Sequence, residues 1–191
     1  MRGVLPRSPL LVLPALLLPL LLMACTDSGS LPIGRGAKGD SLIVTIELVQ
    51  RVQEIRFLGT DGVHYVVTPQ ANGNELIAAR IQVHNDEATR LLLTVDDEAA
   101  ELRGFGREER YAPLDMYDLD SLMGTHVRIE EEGHPSEDRF VPFLAGPISV
   151  GGVNGLPQGH SVTGWMVFEA PQGTKLKELR WGAGDVVYVS N

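Results

Sequence analysis

Cysteine is almost missing from this chain: Cys25 is the lone one in 191 residues. That excludes an internal disulfide framework, a redox pair and a thiolate metal site, so stability must come from an apolar core. Basic residues are also few, 16 Lys and Arg against 25 Asp and Glu, for a formal net charge of −9. Phosphate backbones are held by clustered Lys and Arg, and a chain this acidic is not expected to bind nucleic acid. Neither a repeat period nor a sustained 3.6-residue apolar pattern follows the first two dozen residues, which argues against solenoids and helical bundles.

What is present begins with a leader. Arg2 and Arg7 give a basic start, and Leu10 to Met23 is an apolar run broken by Pro14 and Pro19. A membrane span needs about 20 apolar residues, and proline interrupts a helix, so this shorter run reads as a secretory signal. It closes on Leu22-Met23-Ala24-Cys25, which resembles the lipobox of bacterial lipoproteins. The resemblance implies cleavage before Cys25, with acyl chains on its thiol and on the new amino group. Residues 1–24 are then a lipoprotein signal peptide, and residues 25–40 a lipidated flexible tether rich in Gly, Ser and Asp. Losing Arg2 and Arg7 makes the remainder more acidic still. Anionic lipid heads would weakly repel such a chain, so the acyl chains carry the anchoring, at about 0.8 kcal/mol per buried methylene.

Residues 41–191 read as one domain. Leu42, Val44, Ile46 and Leu48 alternate with Ile43, Thr45 and Glu47, the period of a strand, and Val52 to Phe57 continues it less regularly. Gly59-Thr60-Asp61-Gly62 is a hairpin signal, followed by a short strand over His64 to Thr68 and a turn at Asn72-Gly73-Asn74. Across Glu75 to Asn85, Ile77, Ala79, Ile81 and Val83 would face a core, with Arg80, Gln82 and His84 outward. Arg90 to Val95 is expected as a strand, and Ala99 to Leu102 with Gly106 to Tyr111 as a hairpin. Residues 112–159, with five prolines and apolar islands at Phe140 to Leu144 and Ile148 to Val150, read as an ordered excursion. One helical turn fits Asp115 to Ser121. Short strands separated by Gly, Asn and Pro turns predict an all-β sandwich.

The stretch around which these strands are arranged is Ser161 to Pro171. Val162, Gly164, Met166 and Phe168 fall on one face, with Thr163, Trp165, Val167 and Glu169 on the other. Bulky apolar groups on both faces predict a strand covered on both sides and central in its sheet. Gly164 inside the strand signals a bulge or a close backbone approach. Leu179 and Trp181 are expected in the core. Trp165 lies on the outer face of its sheet, either under Phe140 to Val150 or open as a partner surface.

Catalytic signatures are weak. Gly159-His160-Ser161-Val162-Thr163-Gly164 lacks the spacing of a hydrolase nucleophile elbow and leads into a strand rather than a helix. His64, His84, His126, His134 and His160 show no i, i+2 or i, i+4 pairing of the kind zinc sites use. Asp115, Asp118 and Asp120, and likewise Asp96, Asp97 and Glu98, offer carboxylates without the calcium-loop spacing, and read as solvated faces. No catalytic residue, metal ligand or cofactor is assigned.

Three motifs carry a further resemblance: Ala79-Arg80-Ile81-Gln82-Val83-His84-Asn85, the segment Gly106 to Pro113, and Gly164 to Pro171 followed by Leu179-Arg180-Trp181. In these the chain resembles a family of bacterial lipoproteins with an Ig-like domain. The resemblance spans most of Ser41 to Val189, and residues 112–159 match it less well. It implies an Ig-like β-sandwich facing outside the cytoplasm and supplies no catalytic residue. The expectation is a non-catalytic binding or scaffolding module of the envelope, held on the cell membrane or outer membrane through Cys25. Its expected partner is an envelope or secreted protein. The alternative is a metal- or small-ligand-binding carrier.

Overall fold

A computed structural model describes residues 33–59, 61–93, 98–116, 127–130, 140, 142, 149–150, 153–182 and 187–190. Among them every regular element is a strand. In chain order these are β1 (Gly36–Lys38), β2 (Leu42–Val52), β3 (Ile55–Leu58), β4 (His64–Val67), β5 (Asn74–Asn85), β6 (Arg90–Leu91), β7 (Ala100–Gly104) and β8 (Arg110–Tyr111). Then come β9 (Val127–Glu130), β10 (Ser149–Val150), β11 (Val153–Asn154), β12 (Leu156–Pro157), β13 (Ser161–Pro171), β14 (Leu176–Trp181) and β15 (Val187–Ser190).

Among the described residues three larger antiparallel sheets are stacked, with β10-β11 and β12-β6 as two-stranded pairs beside them. The front sheet has the order β1-β2-β5-β13, the back sheet β15-β14-β7-β8, and an outer sheet β3-β4-β9. In Ig-type domains strands A, B and E share one sheet and C, F and G the other. Here β2, β5 and β13 hold the first set of places and β7, β14 and β15 the second. The chain is thus a β-sandwich with Ig-like strand order.

Alternation along the strands builds the core between front and back sheets. Val44, Ile46, Ile77, Ile81, Met166 and Phe168 point inward from the front, meeting Leu102, Leu179 and Trp181 from the back. Trp181 and Phe168 are fully buried, each contributing up to about 3 kcal/mol of burial. The expected inward set of β5 and the core positions of Leu179 and Trp181 are thus observed.

The outer face of the front sheet carries a second apolar layer. Leu76, Ala78 and Val167 pack against Ile55, Phe57, Tyr65, Val67 and Met116. Gln53 and Glu54 interrupt the β2 pattern and let β3 leave the front sheet. Gly62, at φ +80°, supplies the left-handed residue that turns β3 into β4.

Several sequence expectations are corrected. The pairing skips Glu47, with Ile46 opposite Ile81 and Leu48 opposite Arg80. A bulge of this kind reverses the faces beyond it, so Leu48 is 40% exposed and Val49 packs on the core instead. β13 is the last strand of the front sheet, not a central one. Its apolar outer face is explained by the outer layer, and its outer edge meets single bridges at Pro113 and Pro142. The β13–β5 register runs through Gly164 without a bulge. Gly36 to Lys38, read as tether, pair with Ile43 to Thr45, so the folded body starts before residue 41. The strand expected over Arg90 to Val95 is limited to Arg90–Leu91, with residues 94 and 95 outside the described residues. The helical turn expected over Asp115 to Ser121 also falls mostly outside them.

Candidate functional site

The front sheet's outer face divides into a half that packs against the outer layer and a more polar half that, among the described residues, does not. Val52, Leu76 and Glu169 form one cross-strand row, and Gln50, Ala78 and Val167 the next; of these Val52, Leu76, Ala78 and Val167 pack under the outer sheet. Leu48, Arg80 and Trp165 form the boundary row. Beyond it Thr45, Gln82 and Thr163 lie abreast, then Ile43, His84 and Ser161. These last two rows are half-buried or exposed and predominantly polar.

Trp165 is half-buried at this boundary. Phe140 meets its ring edge-on, with centroids 4.8 Å apart, and Pro142 bridges to its backbone. Part of the excursion therefore reaches Trp165, while residues 143–148 lie outside the described residues. Arg80 pairs with Glu47 at 3.0 Å beside it. The arrangement leaves an aromatic edge next to a flat field of short hydroxyl, amide and imidazole groups. Such a field can hydrogen-bond a partner without large rearrangement.

His84 and Ser161 face each other across β5 and β13, with Nδ1 2.9 Å from Oγ. Sequence reasoning missed this contact because the two residues are 77 positions apart. Only the strand register, which the alternation of β5 and β13 helps to set, brings them together. Ser161 is exposed on an extended strand, without the sharp turn that presents a hydrolase nucleophile. The contact is that of a cross-strand polar pair.

The remaining polar clusters hold the fold. Asn85 is fully buried; its Nδ2 donates to the carbonyls of Ala88 and Leu156 at 2.7 and 2.8 Å, and its Oδ1 accepts from the Ala88 N–H at 3.0 Å. Lys38 Nζ reaches Asp86 and Glu87, each at 2.7 Å, and ties β1 to the turn after β5. Its hydrogen bonds to those carboxylates raise the Lys38 pKa and lower that of Asp86. At the opposite end, Glu169 accepts from the N–H groups of Gln70 and Ala71 and from Asn74 Nδ2.

Of the other positions considered from sequence, Cys25, Asp96, Asp97, Asp118, Asp120, His126 and His134 lie outside the described residues. Asp115 is half-buried and Glu98 exposed. No group of three His, Cys, Asp or Glu among the described residues could hold a metal ion.

Comparison with protein-family models gives no match, and comparison with curated protein sequences gives none either. Among solved structures, a similar one is described as an uncharacterized beta-sandwich protein from Clostridium difficile. It shares 11% identity over 85% of this chain and 94% of that chain, with a TM-score of 0.42. At that distance the likeness carries no argument about activity or partner. The strand order carries the fold assignment.

Proposed function

We propose that the protein is a lipid-anchored, extracytoplasmic binding or scaffolding module of a bacterial envelope, with no catalysis of its own. The observation that carries this reading is Cys25 directly behind Leu22-Met23-Ala24 and the apolar run before it. A second observation supports it: β1 begins at Gly36, only the eleventh residue after Cys25, so the tether between anchor and sandwich is short. The contact surface we assign is Trp165 with the polar rows Thr45, Gln82, Thr163 and Ile43, His84, Ser161. The partner that suits such a surface is an envelope or secreted protein.

The test is cross-linking on intact cells, with the wild type compared against Cys25→Ala and mass analysis of the mature N-terminus. An acylated Cys25 and capture of one or a few envelope proteins by the anchored form alone are expected. A mature protein without acyl groups, or identical capture by both forms, would overturn the reading.

A further inference from the structure

The two ends of the sandwich differ, and the chain leaves toward one of them. One end gathers the start of β2 at Leu42, the end of β5 at Asn85 and the start of β13 at Ser161. The other gathers Val52, Asn74 and Pro171 from the front sheet, with Gly104 and Leu176 from the back sheet. β1 is antiparallel to β2, pairing Gly36 with Thr45 and Lys38 with Ile43, and the Gly34 N–H continues the contact to the Ile46 carbonyl. Traced backwards from β1, the backbone therefore heads toward the Val52–Pro171 end. From Ile33, eight residues to Cys25 span at most roughly 28 Å.

That same end presents Phe105, at 71% the most exposed of the large apolar side chains described. The turn that carries it is built. The Gly104 N–H donates to the Glu109 carbonyl at 2.9 Å, the Glu109 N–H to the Gly106 carbonyl at 3.2 Å, and the Gly106 N–H to Glu109 Oε2 at 2.8 Å. A Cβ on Gly104 would collide with Glu109 Oε2. The two glycines thus let Glu109 fold into the turn and leave Phe105 outside it. Beside this tip runs the loop from Pro171 to Lys175. It is pinned by Gln172 N to the Gly73 carbonyl at 2.9 Å, by Gly173 N to Glu75 Oε1 at 3.0 Å, and by Arg51, which bonds both Glu75 and the Thr174 carbonyl.

Cations flank the aromatic. Lys175 and Lys177 are, with Lys38, the chain's lysines, and Leu176 between them pairs with Gly104. Arg107 lies within the turn. All three are exposed, and none is in an ion pair with another described residue. At the other end Lys38 is held by Asp86 and Glu87. An acidic chain has therefore placed unpaired cations and an exposed ring at the end toward which β1 runs when traced backwards.

We propose that this end is a membrane-docking tip for an anionic phospholipid surface, with Phe105 entering the acyl boundary and Arg107, Lys175 and Lys177 meeting the headgroups. The proposal rests on the anchored reading, which makes the bilayer the nearest surface. Acyl chains supply one attachment and the tip a second, fixing the orientation of the domain. The polar rows beyond Trp165 then lie toward the end of the sheet away from the bilayer.

The experiment uses the processed protein carrying Phe105→Trp, reconstituted in vesicles whose acyl chains are brominated. One set is phosphatidylethanolamine with phosphatidylglycerol, the other phosphatidylcholine alone, and the unsubstituted protein is the blank for Trp165 and Trp181. Mass analysis of the same sample reports acylation of Cys25. The expected result is quenching of the introduced indole in the anionic vesicles only. Lys175→Ala and Lys177→Ala should each lower the docked-to-undocked ratio roughly fivefold, as about 1 kcal/mol per cation implies. Acylated Cys25 without quenching overturns the tip and leaves the anchor standing, and that includes shielding of the indole by a bound protein. Equal quenching in both vesicles, unmoved by the lysine substitutions, overturns the anionic surface. An unacylated Cys25 overturns both.

Discussion

The two apolar layers that sandwich the front sheet are made differently. The inner layer joins long strands from across the chain: β2, β5 and β13 against β7 and β14. The outer layer comes largely from the β3–β4 hairpin inserted between β2 and β5, with Met116 from the segment after β8. Among the described residues it packs on only part of the face, and the rows of Thr45 and Ile43, half-buried or exposed, lie beyond it. The inner layer is the Ig-like sandwich, and the outer layer an addition that buries one half of a face and defines the other.

The strongest way to break that comparison is to cut a large side chain from each layer. Trp181→Ala should cost about 3–5 kcal/mol, with loss of amide protection throughout both sandwich sheets. Phe57→Ala should cost less, about 3 kcal/mol, because Phe57 stacks mainly on Tyr65, with ring centroids 5.6 Å apart. Its protection loss should be confined to β3, β4 and the strand ends beneath them. Hydrogen exchange with chemical denaturation reads both. Equal, global losses would show one cooperative body rather than a sandwich with an added layer.

A middle-sized effect belongs to Asn85, whose side chain closes the uncovered end. Asn85→Ala leaves the buried Leu156 carbonyl and the half-buried Ala88 N–H without their side-chain partner. An unsatisfied buried group costs about 1–3 kcal/mol. A melting temperature equal to that of the wild type would mean that water replaces the amide.

Smaller still is the bulge test. Leu48→Ala should stay within about 0.5 kcal/mol, as exposed positions do, while Val49→Ala should cost more. The reverse order would restore the uninterrupted alternation of β2. This pair also marks how far the sequence could be read. The faces of β5 and β13, the existence of the β7–β8 hairpin and the burial of Trp181 follow from alternation and turn residues alone, though β8, expected from Gly106, is limited to Arg110–Tyr111. The bulge does not, because Leu48 fits the apolar series as well as Val49 does. The edge position of β13 was hidden for a related reason: two apolar faces describe layers above and below a strand and say nothing of its hydrogen-bonded neighbours. The His84–Ser161 contact needed the register of strands far apart in sequence. Cys25 remains legible only as sequence.

The smallest expected effect compares two carboxylates, one in each region, Asp61 exposed and Asp86 half-buried. Asp61 accepts from the Tyr65 hydroxyl at 2.6 Å and from the Val63 N–H at 3.0 Å, and these bonds hold its pKa below the usual carboxylate value. Asp86 is likewise lowered, first by its hydrogen bond to Lys38. A carboxyl lowered on folding stabilises the folded state above its unfolded pKa, about 3.9, and that contribution fades as pH falls through the folded value. Asp61→Asn should therefore lower the melting temperature slightly near neutral pH, and the gap should close on acidification below about pH 4. Because Asp61 fastens Tyr65 of the outer layer, the neutral-pH loss should appear in β4 protection; Asp86→Asn should affect β1 instead. A gap that stays constant from neutral pH to about pH 2.5 would mean that the carboxylate acts by shape rather than charge. Loss of protection in β1 and β4 together, from either substitution, would mean that the two regions share one acid-sensitive opening.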